Sequence, residues 1–385
     1  MRQIGDVCTL QKGGVNPQKF PVELFAHYSI PAFDEGKTPS LDVGLSIRSQ
    51  KTAIQNGSVL VSKLNPRIPR VWHVRDEHAL RRVCSTEFVP LLPKKSVLDP
   101  SYLAFALEHL LASGAISGST SAATKSRERA RPADIAQLLI PVPTLERQRH
   151  LVDLLARAEG ILRLRRQAAA KAAELIPALF IHHFGDPATN PMGWPQCTLG
   201  DVVNIASGGT PSKARPDFWE GDLPWVSPKD MKRTVIVDAI DHISPKVVEE
   251  TSLKLVPKDA VLIVVRGMIL AHTVPIAITA RPVTINQDMK ALTAKEGVMP
   301  AFLLWHLKVM HHDLLGATST AAHGTKKLET KDLLRQPFVV PPLSLQGQFC
   351  EQVVAMESIQ NQQTAALAKA KSTFDALLAQ AFAPT

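Results

Sequence analysis

The chain repeats itself once, and this internal repeat limits the architectures that it can adopt. Ile-Gly-Asp-Val at residues 4–7 resembles Leu-Gly-Asp-Val at residues 199–202, 195 residues later. Asp134-Ile135 resembles Asp332-Leu333 at a separation of 198, and residues 140–148 resemble residues 340–348 at a separation of 200. The three matches keep their order and almost the same separation. We therefore expect two tandem units, each a domain with an appendage, because this period is far too long for a solenoid.

Both repeats predict the same order of secondary structure. Short β-branched runs, such as residues 58–62 and 261–265, predict strands separated by glycine-containing turns. Residues 100–111 and 300–315 begin with proline, which the first turn of a helix tolerates, and they predict a helix late in each repeat. The fold class is therefore expected to be α/β (α+β), with two similar globular domains.

Each repeat ends in a predicted long helix. Thr144 and Ser344 occupy the N-cap position after a proline-containing strand end. Apolar residues follow in steps of four and three, at Leu151, Leu155, Ala158, Leu162, Ala169, Ala172, Ile176 and Leu179 in the first helix, and at Val353, Met356, Leu367, Ala370, Phe374 and Leu377 in the second. This rhythm favours a coiled-coil seam. The alternative is an amphipathic helix lying on its own domain. Pro177 is expected to kink or end the first helix near Ile176.

These patterns predict the domain boundaries. The first globular domain is expected at residues 1–143 and the first long helix at residues 144–184. The second globular domain is expected at residues 185–343, with a linker at residues 185–196, and the second long helix at residues 344–385.

Composition restricts the class of protein. The 385 residues are 45% hydrophobic and 21% charged, which indicates a globular chain rather than a disordered one. The net charge of +9 favours a polyanionic partner, of which nucleic acid is the commonest, although a soluble basic protein is the alternative. The 4 cysteines are far apart in the sequence and resemble no zinc motif. The chain shows no signal peptide and no apolar run of membrane-spanning length, so we expect it in the cytoplasm, without a membrane partner.

Several motifs resemble the specificity (S) subunit of type I restriction–modification systems. In the second repeat they are Leu-Gly-Asp-Val at 199–202, Ser-Gly-Gly-Thr-Pro-Ser at 207–212 and Asp-Leu-Pro-Trp-Val-Ser at 222–227. In the first repeat they are residues 57–67 and Arg-Val-Trp at 70–72. Both repeats also carry a proline-containing junction before the long helix. The resemblance covers essentially the whole chain, although the first repeat has Gly-Gly-Val-Asn-Pro at 13–17 in place of the Gly-Gly-Thr-Pro-Ser form.

The resemblance implies a non-catalytic DNA-binding protein of pseudo-two-fold design. Each globular domain is a target-recognition domain that reads one half of a bipartite site in double-stranded DNA. The long helices pack as an antiparallel coiled coil that sets half-site spacing and docks methyltransferase (M) subunits, two in number. Restriction motor-nuclease (R) subunits complete the enzyme. No cofactor is expected on this chain, because S-adenosylmethionine, ATP and magnesium belong to the partner subunits.

Basic and amide side chains after strands are candidates for DNA contacts, because cations bind phosphates and guanidinium or amide groups read base edges. The candidates of the first repeat are Arg48, Lys51, Lys63, Asn65, Arg67, Arg70, Lys125 and Arg127. Arg67 and Arg70 are the candidates for a guanine edge, and Arg48 and Lys51 for phosphates. A solvated turn is the alternative for residues 62–70, and a plain surface loop for residues 119–131.

The candidates of the second repeat are Lys213, Ser227, Lys229, Lys232, Arg233, Arg266, Lys326 and Lys327. Arg266 follows a strand in the place where Lys63 follows the equivalent strand of the first repeat. Trp225 lies beside polar residues, and a packing role is the simpler interpretation. Asp288 is a weaker candidate, with a salt bridge as its alternative role.

Motifs for catalysis are absent from the sequence. The chain has no phosphate-binding Gly-x-x-x-x-Gly-Lys-Ser/Thr loop and no Asn-Pro-Pro-aromatic motif of an amino-methyltransferase. The paired histidines at 182–183 and 311–312 are adjacent in sequence, a spacing that does not place both on one helix face. Two other classes remain open from the sequence: a self-contained DNA-modifying or DNA-cleaving enzyme, and a coiled-coil scaffold whose domains bind protein.

Overall fold

The computed structural model describes residues 1–75, 79–115, 129–320 and 324–383. The chain divides into two compact units. Unit 1 comprises Met1–Gln167 with Ala365–Thr385, and unit 2 comprises Ala168–Thr364. Each unit therefore holds one globular domain, the first part of one long helix and the last part of the other.

The elements of unit 1 precede the first long helix. They are β1 (Arg2–Gln3), α1 (Ile4–Val7), β2 (Cys8–Leu10), β3 (Gly14–Val15), β4 (Leu24–Tyr28), α2 (Ile30–Asp34), β5 (Ser40–Val43), β6 (Lys51–Ala53), β7 (Val59–Ser62), β8 (Val71–His73), β9 (Arg81–Ser85), β10 (Phe88–Pro93), α3 (Pro100–Ala112), α4 (Pro132–Gln137), β11 (Leu139–Ile140) and the long helix α5 (Leu145–Phe184). One sheet has the strand order β2-β10-β7-β8, and another has the order β3-β6-β9-β4-β5, in which β4 and β9 are parallel.

Unit 2 repeats this plan. Its elements are β12 (Gln196–Thr198), α6 (Leu199–Val202), β13 (Val203–Ser207), β14 (Leu223–Val226), β15 (Val235–Ile236), β16 (Asp241–Ile243), α7 (Lys246–Glu250), β17 (Val261–Val264), β18 (Ile276–Thr279), β19 (Thr284–Ile285), β20 (Met289–Ala294), α8 (Pro300–Val309), α9 (His311–Gly316), β21 (Ser319–Thr320), β22 (Lys326–Lys327), α10 (Thr330–Leu334), β23 (Pro337–Val339) and the long helix α11 (Leu343–Ala381). The sheet β13-β20-β17-β18-β15 corresponds to β2-β10-β7-β8, and β16-β14-β19 corresponds to β5-β4-β9.

The short helices α1 and α6 show why the Gly-Asp motif recurs. A Cβ atom on Gly5 would lie 3.3 Å from the Ala136 carbonyl oxygen, and one on Gly200 would lie 3.4 Å from the Leu334 carbonyl oxygen. Both glycines therefore allow close approach of the helix that precedes the junction strand, β11 or β23. The mixed helix-and-sheet class and the internal repeat are confirmed.

The long helices run antiparallel inside each unit. In unit 1, Leu151 and Leu155 near the start of α5 share a core with Leu378 and Phe382 at the end of α11 and beyond. In unit 2, the end of α5 meets the start of α11, and the rings of Phe180 and Phe349 lie 5.4 Å apart between centroids. The apolar residues predicted for the seam are buried or half-buried, so the predicted packing is confirmed.

Two sequence-based expectations about the helices are wrong, and a third is wrong in part. Helix α5 does not end near Ile176 but continues through Pro177 to Phe184, because the buried Phe180 and Phe184 hold the segment after the proline in the core of unit 2. Residues 300–315 form two helices, α8 and α9, with a break at Met310. Helix α11 begins at Leu343, so Ser344 lies inside the first turn rather than at the N-cap.

A buried glutamine fixes each junction between domain and long helix. Gln148 Oε1 accepts from the Asp99 N–H at 2.8 Å, and its Nε2 donates to the carbonyls of Val97 and Pro143. Gln346 Oε1 accepts from the Met299 N–H at 2.9 Å, and its Nε2 donates to the carbonyls of Gly297 and Pro341. The structural equivalent of Gln148 is therefore Gln346, not Gln348, and the junctions are 198 residues apart rather than 200.

None of the helices formed by the described residues combines the length and the apolar character needed to span a bilayer.

Candidate nucleic-acid interface

The loop after the central strand is tied to the same partner segment in both units. In unit 1 an isolated bridge joins Leu64 to Arg129, and in unit 2 an equivalent bridge joins Arg266 to Lys327. Each bridge connects the end of β7 or β17 to the segment that leads into α4 or α10. Two chain segments rich in basic residues are therefore brought to one edge of each unit.

The bridges define the register between the two loops. The Lys63 N–H donates to the Glu87 carbonyl, and the Val265 N–H donates to the Asp288 carbonyl in the same way. Lys63 thus corresponds to Val265, and Arg266 corresponds to Leu64. The expectation that Arg266 stands where Lys63 stands is wrong by one residue.

The residue after each bridge has a left-handed backbone. It is Asn65, with φ of 49°, in unit 1, and Gly267, with φ of 136°, in unit 2. Asparagine and glycine are the residues that adopt this region most readily. The turn after the strand is thus encoded locally in both units, although the side chains around it differ.

Unit 2 collects three cations at this edge, and we call Arg266, Lys290 and Lys327 the basic cluster. Lys290 Nζ donates to Ser207 Oγ at 2.6 Å. Burial lowers the pKa of Lys290, and the charges of Lys327 and Arg266 lower it further. Glu329 balances part of this charge, since its carboxylate lies 2.8 Å from Lys327 Nζ. Three cations facing one carboxylate leave a surface that favours an anion.

Sequence reasoning missed Lys290. It is the second residue of β20, and its pairing with Ile263 places it beside the end of β17. A lysine alternating with apolar residues in a strand is usually a solvent-facing position, and only the sheet order brings this one next to Arg266. Lys290 shares its face of β20 with Leu292 and Ala294, and this pattern does not indicate a binding role for the lysine.

Unit 1 lacks this cluster at the equivalent positions. Leu64 replaces Arg266, and Val89 replaces Lys290 as the second residue of its strand. Arg129 replaces Lys327, but its guanidinium makes two hydrogen bonds to the Glu87 carboxylate, at 3.0 and 3.1 Å. Among the described residues of unit 1, this edge therefore carries an arginine paired with Glu87, apolar side chains at the positions of Arg266 and Lys290, and the half-buried Lys63 close to Glu87.

Arg70 forms an ion pair within unit 1. Its Nε and Nη2 donate to the two carboxylate oxygens of Asp34 at 2.7 and 2.9 Å. The side chain is only 13% exposed, and its Nη1 is buried without a hydrogen-bond partner. The proposed pairing of Arg70 with a guanine edge is therefore wrong for this conformation, because the donors that would read a base bind Asp34. Arg67, three residues earlier, is exposed.

Lys51 is also an internal residue. It is 8% exposed, and its Nζ donates to Ser49 Oγ at 2.6 Å. Burial lowers the pKa of Lys51, with the charge of Asp42 acting in the opposite direction. The expected phosphate contact by Lys51 is wrong for this conformation, whereas Arg48 is exposed and Lys63 half-buried.

Two DNA-contact candidates of unit 2 bind neighbouring carboxylates instead. Ser227 is buried, and its hydroxyl and N–H both donate to one carboxylate oxygen of Asp230, which forms a capping box. Lys229 Nζ lies 2.6 Å from an Asp241 oxygen, so this ammonium is paired at the surface. Ser227 is not available as a phosphate donor in this arrangement. Trp225 packs, as expected, and its Nε1 donates to the Gly209 carbonyl.

The remaining candidates divide by exposure. Lys213, Lys232 and Arg233 are exposed. Lys326 is half-buried and its Nζ donates to Thr320 Oγ1 at 3.0 Å. Lys125 and Arg127 lie outside the described residues, as does His323.

The described part of the chain offers little for catalysis. It contains no group of three or more His, Cys, Asp or Glu side chains placed to hold a metal ion. Burial raises the pKa of both Cys8 and Cys84 to about 12, so these thiols stay protonated and are poor nucleophiles.

Comparison with known proteins shows similarity to type I specificity subunits over part of the chain. Residues 191–368 match the family model described as the type I restriction modification DNA specificity domain. The chain is also 34% identical over 171 residues to the type I restriction enzyme EcoR124I/EcoR124II specificity subunit of Escherichia coli. The match to the family model lies mostly in unit 2 and covers less than half of the chain.

Another type I specificity subunit matches over a shorter segment. The MjaIX specificity subunit of Methanocaldococcus jannaschii is 32% identical over 121 residues. The matching segments cover 44% and 31% of this chain, and 42% and 27% of the two relatives. The chain thus matches less than half of the length of these curated relatives.

Solved structures agree with the fold of the specificity-subunit family. A chain from a study of complex assembly and conformational transition in the type I R-M system has a TM-score of 0.62 at 22% identity, with coverage of 99% of this chain and 96% of that one. The S subunit from M. genitalium has a TM-score of 0.53 at 17% identity, with coverage of 100% and 96%. At these identities the likeness concerns the fold alone.

Proposed function

We propose that this chain is the non-catalytic DNA specificity subunit of a type I restriction–modification complex. The basic cluster of unit 2 carries the proposal, because it places Arg266, Lys290 and Lys327 at the end of the central strand in a domain of the matching family. Guanidinium and ammonium groups at a strand-end loop suit both phosphate and base-edge contacts.

Each unit would read one half of a bipartite site in double-stranded DNA. The equivalent bridges Leu64–Arg129 and Arg266–Lys327 support this, since they build the same edge in both units. The side chains at the two edges differ, so the two half-sites are expected to differ in base sequence.

The long helices would dock two methyltransferase (M) subunits and set the half-site spacing. Support comes from apolar side chains that remain exposed on α5 and α11, namely Leu154, Ile161, Leu164, Leu175, Ile181, Val354 and Ile359. Solvent-facing apolar residues along a helix are typical of a surface covered in a complex. S-adenosylmethionine, ATP and magnesium would be bound by M and by the restriction (R) subunits, with no cofactor on this chain.

The proposal is tested by methylome sequencing of cells that carry the gene together with its methyltransferase partner. We expect a modified bipartite motif that disappears when the gene for this chain is deleted. A methylome without any change after the deletion would contradict the proposal.

The purified chain provides the second half of the test. It should bind duplex DNA with an affinity that falls steeply as salt rises, because phosphate contacts release counterions. It should transfer no methyl group and cleave no strand on its own. Methylation or cleavage by the isolated chain would favour a self-contained enzyme, and salt-independent or absent DNA binding would favour a protein-binding scaffold.

A further inference from the structure

Unit 2 contains a cavity of about 480 Å³ between its domain and the last part of α5. The walls come from α5, α8, α9, α11, the start of β18 and the segments before β15 and β18. This volume lies within the range of small-molecule sites, which is roughly 300–1,000 Å³. The cavity is separate from the basic cluster, none of whose residues lines it.

The walls combine apolar surface with positive charge. Lys232, Arg233 and Lys308 line the cavity together with His311, and no aspartate or glutamate does. All of the lining residues belong to the described part of unit 2. Such a cavity favours an anion over a cation or a neutral molecule.

Lys308 is a half-buried ammonium that forms no ion pair with a carboxylate of the described residues. Its Nζ donates to the hydroxyl of Thr234 at 3.0 Å and lies 5.2 Å from the ring centroid of Trp305. Burial lowers the pKa of Lys308, and the more distant charge of Glu357 only partly opposes this. No carboxylate of the described residues forms an ion pair with Lys308 within 4 Å. A charge that is partly removed from water is normally paired, so a bound anion would supply the counter-ion that Lys308 lacks in the protein.

Trp305 contributes its ring to the same wall. Its Nε1 is buried and makes no hydrogen bond. Its ring lies beside Lys308, and Pro177 and Ile276 provide apolar surface in the same cavity. The cavity therefore suits a molecule with an anionic head and an apolar body.

Unit 1 shows that the fold does not require this arrangement. Glu108 occupies the position in α3 that Lys308 occupies in α8, and Phe105 occupies that of Trp305. The equivalent cavity of about 300 Å³ is lined by Glu108, Glu159 and Lys37 among others. Lys37 lies 3.0 Å from Glu108, so the charged residue of unit 1 has its own counter-ion.

We propose that the cavity of unit 2 binds a small organic oxyanion. The anionic head, a carboxylate or a phosphate, pairs with the Lys308 ammonium, and the apolar body lies along Pro177, Ile276 and Trp305. This binding is independent of the proposed DNA-reading role.

The test measures the fluorescence of two probes bound to the full chain. Anilinonaphthalene sulfonate carries a sulfonate on an apolar body, and phenyl naphthylamine is the same body without the sulfonate. We expect the sulfonate to bind the wild type more tightly than the neutral probe. Lys308→Met should weaken sulfonate binding about tenfold or more, the loss typical of a charge-assisted contact, and leave the neutral probe unchanged.

Matched controls separate this effect from a change in folding. Lys258→Met makes the same substitution at an exposed lysine outside the cavity and should leave both probes unchanged. Lys308→Met removes a half-buried charge that has no ion-pair partner, so the variant should fold, and unchanged binding of the neutral probe reports an intact cavity. Equal affinity of the sulfonate for the wild type and Lys308→Met would overturn the proposal.

Competition identifies the natural head group. Displacement of the sulfonate probe by benzoate indicates a carboxylate ligand, and displacement by inorganic phosphate indicates a phosphate ligand. If neither displaces the probe, or if a DNA duplex displaces it stoichiometrically, the cavity is not a separate site for a small anion and the proposal is wrong.

Discussion

Units 1 and 2 share one arrangement of strands, short helices and junctions, which we call the frame. They differ in the side chains at the edge after the central strand. After the central strand, unit 1 has Leu64 and unit 2 has Arg266, at equivalent bridge positions. The second strand residue is Val89 in β10 and Lys290 in β20. The backbone geometry of the edge is retained while its charge changes, which is the behaviour expected of a scaffold that presents variable recognition loops.

The residues that are retained hold the frame together. Gln148 and Gln346 each join the late helix of a domain to its long helix through three hydrogen bonds. Lys94 and Lys295 each donate to carbonyls at the end of the short Gly-Asp helix. Both units have therefore kept the buried contacts of the glutamine, since a buried polar group that loses its partner is costly, together with an exposed lysine contact.

The largest expected effect tests whether the two junctions are equivalent. Gln148→Ala and Gln346→Ala each leave one N–H and two carbonyls without a partner, and both glutamines are fully buried. We expect each change to lower the free energy of unfolding of its own unit by about 3–5 kcal/mol. Hydrogen exchange at the starts of α3 and α8 would measure the two units separately.

The exposed Gln362 in α11 provides the control, and Gln362→Ala should change stability by less than about 0.5 kcal/mol. A large loss at only one of the two junctions would show that the frame is not shared.

A smaller effect concerns acid stability, where the units differ at one buried position. His306 in α8 corresponds to Ala106 in α3. Burial lowers the pKa of His306 to about 3, and its Nε2 accepts from the Val339 N–H, a role that protonation would abolish. The folded state thus binds fewer protons than the unfolded state between pH 6.5 and about 3. The contribution of neutral His306 to the free energy of unfolding is fully present above pH 6.5. It is lost as the pH falls through this window, by about 2 kcal/mol at pH 5.

His306→Gln keeps a hydrogen-bond acceptor but does not titrate, so it should remove this loss from unit 2. Unit 1 should keep its own acid sensitivity, because burial lowers the pKa of His73 to about 4. Urea unfolding between pH 5 and 7, followed by hydrogen exchange in each unit, would measure both. An unchanged pH slope in unit 2 of the variant would show that His306 is not the titrating group.

The smallest expected effect compares two arginines in DNA binding. Arg266→Ala should weaken binding about tenfold and reduce the slope of log affinity against log salt by about 1, because one phosphate contact is lost. Arg70→Ala should leave that slope unchanged, since Arg70 binds Asp34. Binding titrations at several salt concentrations would measure both slopes.

Lys258→Ala, at the other end of β17 from Arg266, is the matched control and should have no effect on the slope. If Arg70→Ala and Arg266→Ala reduced the slope equally, the two edges would not differ in this respect, and Arg70 would be a DNA contact.

The sequence alone predicted the repeat, the class of fold, the central strands and the long helices. These features depend on local periodicity and on motifs such as Ile-Gly-Asp-Val, which are visible within a few residues. The junction register was wrong by two residues because both Gln346 and Gln348 fit the pattern, and only the buried hydrogen bonds of Gln346 distinguish them.

The tertiary structure decided which basic residues face outward. Asp34 lies 36 residues from Arg70 in sequence, and Lys290 donates to Ser207 across 83 residues. Charge counts and loop positions cannot reveal such pairings, because an ion pair or a cluster forms wherever the sheet order brings side chains together. The repeat thus followed from the sequence, whereas the difference between the edges of units 1 and 2 followed from contacts between distant segments.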